Sequence, residues 1–390
     1  MRRTRPLARA ALAAVVATSL WLPNAHRAVE PRGPLRPAAA TGALAESLLD
    51  AQLRAWSARA HDGDLARLRA GCEEWDFMRR TFLVLSLANV SLREPARAPA
   101  LLPVMDSLID DTLAQERAHG QTVFLMGYAN RRPWVQQPAR SVFIDGEVAL
   151  MIGARRMVRD DGRYDREHAA RAREITARLT AAPLHSAESY PDECWTFCNT
   201  IALVALRLYD RRSGEDHRPL VARWLRDARD HLVDPGTGML VSSFTMRGQV
   251  GDGPEGSSIF LAAHMLQLLD PDLARDQYQR ARNSLGRSVL GFGWAREWPG
   301  HTPARDDVDS GPTVPWLGAN AGASGLALVG AAAFGDDAWL RTLVASVHLA
   351  AFPVREGRGV RLAAGNAVGD AVMLYALTLG PLWQAAGVAS

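Results

Sequence analysis

Apolar positions recur with a helical period along almost the whole chain, and sustained alternation of strand type is scarce. The pattern predicts twelve helices, over 43–60, 73–91, 98–118, 141–159, 165–182, 195–211, 216–232, 256–269, 271–289, 315–333, 336–351 and 367–386. VALMIGARRMV, FLAAHMLQLL and AVMLYALTLGPLW are apolar on nearly every side, as expected of helices enclosed by others. YDREHAARAREITARL and HRPLVARWLRDARDHL carry a broad charged face and read as outer helices. Enclosed and charged helices alternate through much of the chain. A two-layer ring of helical hairpins produces that alternation, so the expected fold is all-α, an (α/α)6 barrel formed as a single domain over residues 41–390.

The connections alternate as well. RDDGRYD, RRSGEDH and FGDD are short and polar. FIDGE at 143–147, SYPDECW at 189–195, GDGPEGSS at 251–258, RDDVDSGP at 305–312 and GNAVGD at 365–370 are rich in Gly, Pro, aromatics and acids. Each of these leads into an apolar helix. In a ring whose inner helices all run the same way, such loops gather at one end around a shared central cavity. Taken singly, an Asp or Ser before a helix is more simply an N-cap, and a Glu in the first turn simply favours the helix dipole. Caps do not call for Trp195, Trp316 or a DVDSGP stretch beside them, which favours a ligand cavity.

With 48% hydrophobic and 22% charged residues the chain is of ordinary globular composition. Its 45 basic and 42 acidic residues leave a net charge of +3, and much of the excess is local: Arg2, Arg3, Arg5, Arg9, Arg27, Arg32 and Arg36 precede the body, offset only by Glu30. The remainder is near neutral, so a nucleic-acid partner is not expected. MRRTRPLAR followed by the 13-residue apolar run AALAAVVATSLWL fits a secretory signal peptide over 1–28, extending to about residue 40 if the Pro-rich VEPRGPLRPAAA is also removed. An uncleaved anchor is the alternative. The expectation is an exported, periplasmic or secreted protein with no span in the mature chain and a small-molecule substrate as partner; a homo-oligomer is compatible with the sequence.

Cys72, Cys194 and Cys198 are too few for a disulfide scaffold and have no His at zinc-ligand spacing, so a metal is not expected. Glu147 sits just inside an apolar helix, where desolvation raises a carboxyl pKa and keeps it protonated as a general acid needs. Asp307 and Asp309 are candidates for the partner base. Cys198 is a candidate proton carrier. Phe143, Asp145, Ser189, Tyr190, Cys194, Trp195, Asp252 and Trp316 lie on or beside the acid-bearing loops and are the candidate substrate contacts. His264, alone on an apolar helix, reads as a core histidine with one partner.

The run YPDECWTFCNTIALVALRLYDRRSGEDHRPLVARWLRDARDHLVDPGTG, with VFIDGEVALM, DDVDSGP and the closing GDAVMLYALTLGPLW, resembles the linalool dehydratase-isomerase family over about residues 70–386. The resemblance implies an exported (α/α)6 barrel without cofactor, holding a terpene alcohol in a hydrophobic pocket. It places Cys198, followed by Asn199, at one of the family's two active-site cysteines, and Pro191 and Asp192 at the proline and acid between them. Ser189 stands where the family has its other cysteine, and Glu147 stands in place of the family's histidine. No counterpart of the family's N-terminal aspartate and tyrosine aligns within 45–75. The expected activity is therefore a cofactor-independent hydro-lyase or isomerase working on a small apolar alcohol with carboxylate and thiol groups, Asp192 among them. Two alternatives stand beside it: a glycosidase or polysaccharide lyase, because (α/α)6 barrels often host these, and a non-catalytic exported ligand-binding or structural barrel.

Overall fold

The computed structural model of the chain describes residues 4–57, 72–300 and 310–388. Its helices in chain order are α1 Thr4–Val29, α2 Ala43–Ser57, α3 Glu73–Arg93, α4 Ala98–His119, α5 Val142–Val158, α6 Asp165–Ala181, α7 Thr196–Ser213 and α8 Arg218–His231. They continue with α9 Gly256–Leu266, α10 Pro271–Ser284, α11 Ala321–Ala333, α12 Asp337–Ala351, α13 Ala367–Thr378 and α14 Pro381–Ala386.

Six of these close a ring. Helix α3 packs on α5, α5 on α7, α7 on α9, α9 on α11, α11 on α13, and α13 returns to α3. Among them are α5, α9 and α13, whose sequences are apolar nearly all round. The outer helices α4, α6, α10 and α12 each back an inner partner, α8 packs beside α6, and α2 covers α13. The fold is thus the (α/α)6 barrel that the alternating pattern predicts. Close approach in the ring depends on small side chains. A Cβ on Gly146 of α5 would lie 3.1 Å from Ala202 of α7, and one on Gly153 would lie 2.9 Å from Leu208 Cβ. Any larger residue at either place would force these two inner helices apart.

Four differences from the expected elements matter. The stretch 367–386 is two helices, because Gly380 takes φ 130° and Pro381 opens a new helix. The short α14 then crosses the far ends of α3, α5 and α7 as a plug, with the Leu382 N–H donating to Asn89 Oδ1 at 2.9 Å. The stretch 315–333 becomes helical only at Ala321, and 271–289 stops at Ser284. Four antiparallel two-stranded ribbons replace the missing helical turns or decorate the loops: β1 Cys194–Trp195 with β2 Ser243–Phe244, β3 Gly286–Val289 with β4 Phe292–Ala295, β5 Thr313–Val314 with β6 Ala319–Asn320, and β7 Pro353–Glu356 with β8 Gly359–Leu362. Pieces of two to four residues are too short to impose a period on the sequence. Finally, the N-terminal helix is longer than its 13-residue apolar core: Leu7–Val29 spans 23 residues, long and apolar enough to cross a membrane.

Candidate functional site

At the loop end of the ring lies a cavity of about 580 Å3, lined mainly by apolar side chains. Every inner helix contributes from its first turns: Glu74, Trp75 and Met78 of α3, Phe143 of α5, Phe197 and Cys198 of α7, Ser257 and Ser258 of α9, Gly322 and Leu326 of α11, and Val368 and Met373 of α13. This follows from the ring, since parallel inner helices bring all their N-termini to one side. On one flank the small residues of α11 (AGASGLAL) let the cavity reach past the ring to Leu343, Val347 and Ala351 of the outer helix α12. Asn320 and Asn366, which also line it, cap α11 and α13 by accepting from the N–H of Ala323 and Gly369.

The acidic corner lies opposite. Glu74, in the first turn of α3, accepts a hydrogen bond from the Tyr190 hydroxyl, which itself accepts from the Met126 N–H at 2.9 Å. Burial, reinforced by Glu74, pushes the Tyr190 phenol well above its ordinary pKa. Tyr190 stacks on Tyr128 at 4.6 Å, and Tyr128 donates to Glu193 at 3.2 Å. Cys198 completes the corner. Burial raises its thiol pKa well above the ordinary value, a hydrogen bond with the Ser189 side chain acts the other way, and the nearby Glu147 and Glu74 raise it further. These surroundings favour the neutral thiol over the thiolate. Behind it, fully buried Glu147 is pushed up to about 8 by desolvation, partly opposed by the hydrogen bond it accepts from the Thr81 hydroxyl. At neutral pH it carries its proton.

The candidate residues fall into two groups. Phe143, Tyr190, Trp195 and Cys198 line the cavity, with Ser189 hydrogen-bonded to Cys198 and Glu147 near enough to act on its thiol electrostatically. Asp145 does not face it: its carboxylate is fully buried among Arg140 (2.6 Å), Arg171 (2.6 Å) and Gln121 (2.9 Å) on the outer side of α5. Asp192 lies off the cavity as well. It takes φ 55°, gives its N–H to Glu188 and accepts from the Met246 N–H, tying its loop to the next hairpin. Asp252 accepts from the Ser243 hydroxyl at 2.7 Å. Cys194 is buried against Met246 Sδ at 3.2 Å, its thiol pKa raised by burial. Trp316 is 99% exposed at the tip of the β5–β6 ribbon. Asp307 and Asp309 lie outside the described residues.

The acid that sequence reasoning missed is Glu74, the carboxylate that lines the cavity among the described residues. A signal existed: in a ring of hairpins the first turn of every inner helix borders the cavity, and CEEWDF opens the first of them. His264 is a core residue, bonded to the Tyr375 hydroxyl at 2.7 Å, stacked on Trp383 at 4.5 Å and pushed down to about 4 by burial. Among the described residues no group of three His, Cys, Asp or Glu is placed to hold a metal ion.

A helical toroid closing six N-termini around an apolar chamber, with ionisable side chains at one corner, defines a barrel of the (α/α)6 class. More particularly, the chain belongs to the linalool dehydratase/isomerase family, whose model matches residues 145–367. Among solved structures it is similar to a GH76 alpha-mannanase of Bacteroides thetaiotaomicron, at 10% identity and a TM-score of 0.47, covering 79% of this chain and 86% of that one.

Proposed function

We propose that the protein is an exported, cofactor-independent hydro-lyase or isomerase acting on a small apolar, terpenoid-like alcohol. The observation that carries this is the pairing of an apolar chamber with a single acidic corner. A volume of about 580 Å3 falls within the range of roughly 300–1,000 Å3 usual for small-ligand sites. An apolar wall orients a hydrocarbon skeleton, and at the corner of Glu74, Tyr190 and Cys198 the substrate hydroxyl meets groups able to exchange protons.

In the dehydration direction the hydroxyl leaves as water after taking a proton from the Cys198 thiol, which Glu147 behind it replenishes. The carbon skeleton then loses a proton to the Glu74 carboxylate, and a C=C bond forms from the C–H electron pair. One proton has moved from the Glu147 side to the Glu74 side, and solvent resets both groups. Readdition of the water at another carbon gives isomerisation by the same groups. Asp307 and Asp309 remain proposed contributors from the adjoining loop, and the N-terminal apolar helix is the proposed export signal.

The test is conversion of tertiary and allylic alcohols by the purified protein, followed by gas chromatography, beside Glu74→Gln. General acid–base groups of this kind contribute about 10²- to 10⁴-fold, so Glu74→Gln is expected to lose activity on that scale. Undiminished turnover by the variant, or turnover confined to oligosaccharides, would refute the reading.

A further inference from the structure

We propose that the mouth of the cavity lies on a lipid bilayer, with α1 retained as its anchor, so that apolar molecules enter from the lipid phase. This stands apart from whatever reaction the cavity hosts.

The first observation is where α1 is rooted. Its apolar window is unburied along its length, while its foot is seated on the elements that form one flank of the cavity. His26 lies 2.8 Å from the Leu290 carbonyl and packs edge-on against Phe292 at 5.0 Å, both in the β3–β4 ribbon. His348 of α12 is 2.8 Å from the Val29 carbonyl, and Arg341 of α12 donates to the Gly33 carbonyl at 2.9 Å. The chain then continues as a strap belonging to the barrel. Leu35 is buried, and Arg36 donates to the Ala332 carbonyl and, at 3.3 Å, to that of Leu379. Removal of the chain up to residue 40 would strip those contacts from the ring.

The second observation is what surrounds the opening. Val314, Ala350 and Gly365 line the cavity and are also exposed, which marks this flank as its mouth. Beside it three loop tips hold large apolar side chains in water: Leu290 (56% exposed), Trp316 (99%) and Phe352 (64%). All three have left-handed backbone, with φ 51°, 76° and 49°. Bulky residues seldom occupy that region, and Gly or Asn would fit it with less strain. A soluble protein gains nothing from such placements, whereas an interface that is apolar below and wet above rewards them, Trp above all. Arg355 of β7 and Arg358 of the β7–β8 turn, both exposed on the ribbon that follows Phe352, suit anionic headgroups. The cluster of arginines ahead of the apolar window directs that end inward, leaving the barrel on the exported side.

The test uses the full chain reconstituted in vesicles of phosphatidylethanolamine and phosphatidylglycerol. Spin labels are attached through Leu290→Cys, Trp316→Cys, Phe352→Cys and, on the exposed face of α6 across the ring, Ala177→Cys. The native cysteines are buried, so labelling is site-specific, and circular dichroism verifies that each labelled chain keeps its helical fold. Labels at 290, 316 and 352 are expected to collide severalfold less with an aqueous nickel chelate than the label at 177, while staying open to oxygen. Equal nickel exposure at all four sites overturns the proposal. So does recovery of the chain from its host cleaved beyond residue 28 and free of membrane.

Discussion

Glu147 shows how one side chain's surroundings set both chemistry and stability. Among the described residues its carboxyl has no ion-pair partner and accepts from the Thr81 hydroxyl, and desolvation lifts its pKa from 4.5 to about 8. The native state therefore holds a proton that the unfolded chain releases above 4.5. Stability from this group is full below 4.5 and declines as pH rises from there to about 8. Glu147→Gln keeps the shape and removes the titration, so its urea midpoint is expected to vary less with pH across that window than the parent's. Its turnover is expected to fall by about 10²-fold or more, because the proton source is gone. A parallel pH slope in parent and variant would show that Glu147 does not hold a proton in the folded state. The raised pKa was legible in the sequence from the apolar helix around Glu147, since burial is a local consequence of composition. The place of Glu74 at the cavity could have been read from its position in the first turn of an inner helix, but nothing near CEEWDF says that Tyr190, more than a hundred residues away, meets its carboxylate.

Helix α5 explains why two acids in FIDGE have different fates. Residues two apart on a helix point about 200° apart, so Asp145 and Glu147 cannot share a face, whereas Phe143 and Glu147, four apart, can. Phe143 and Glu147 turn toward the cavity side. Asp145 turns toward the outer layer, where Arg140 and Arg171 hold it and Glu116 of α4 joins through Arg171. Removing one member of a buried ionic group leaves its partners uncompensated, at a cost of about 3–5 kcal/mol. Asp145→Asn is accordingly expected to lose stability of that order in chemical denaturation while the cavity corner stays intact. A loss of activity in Asp145→Asn at full stability would instead place this aspartate in the chemistry.

A ring of helices has two open ends, and this chain treats them differently. The loop end holds the cavity. The far end is stopped by α14, whose Trp383 is buried and stacks on His264 while Leu382 is tied to Asn89 of α3. Trp383→Ala is expected to cost about 3–5 kcal/mol, read as a lowered thermal midpoint, and to free His264 from its stacking partner. If the midpoint holds, α14 is an appendage and the ring closes without it.

Helical period and the alternation of enclosed and charged helices were readable along the chain, because each reflects what a segment buries and every segment buries the same face throughout. Gathering the inner N-termini at one end followed from that ring. Which acids turn into the chamber, and which merely tie loops or anchor the outer layer, depended on a rotation of each helix that packing sets. Asp192 and Asp252 read like site residues in one dimension and serve their own loops in three. The same holds for Trp316, conspicuous in sequence and exposed at a loop tip. Contacts between residues far apart in the chain are made by the closing of the ring, and no stretch of sequence carries that closure alone.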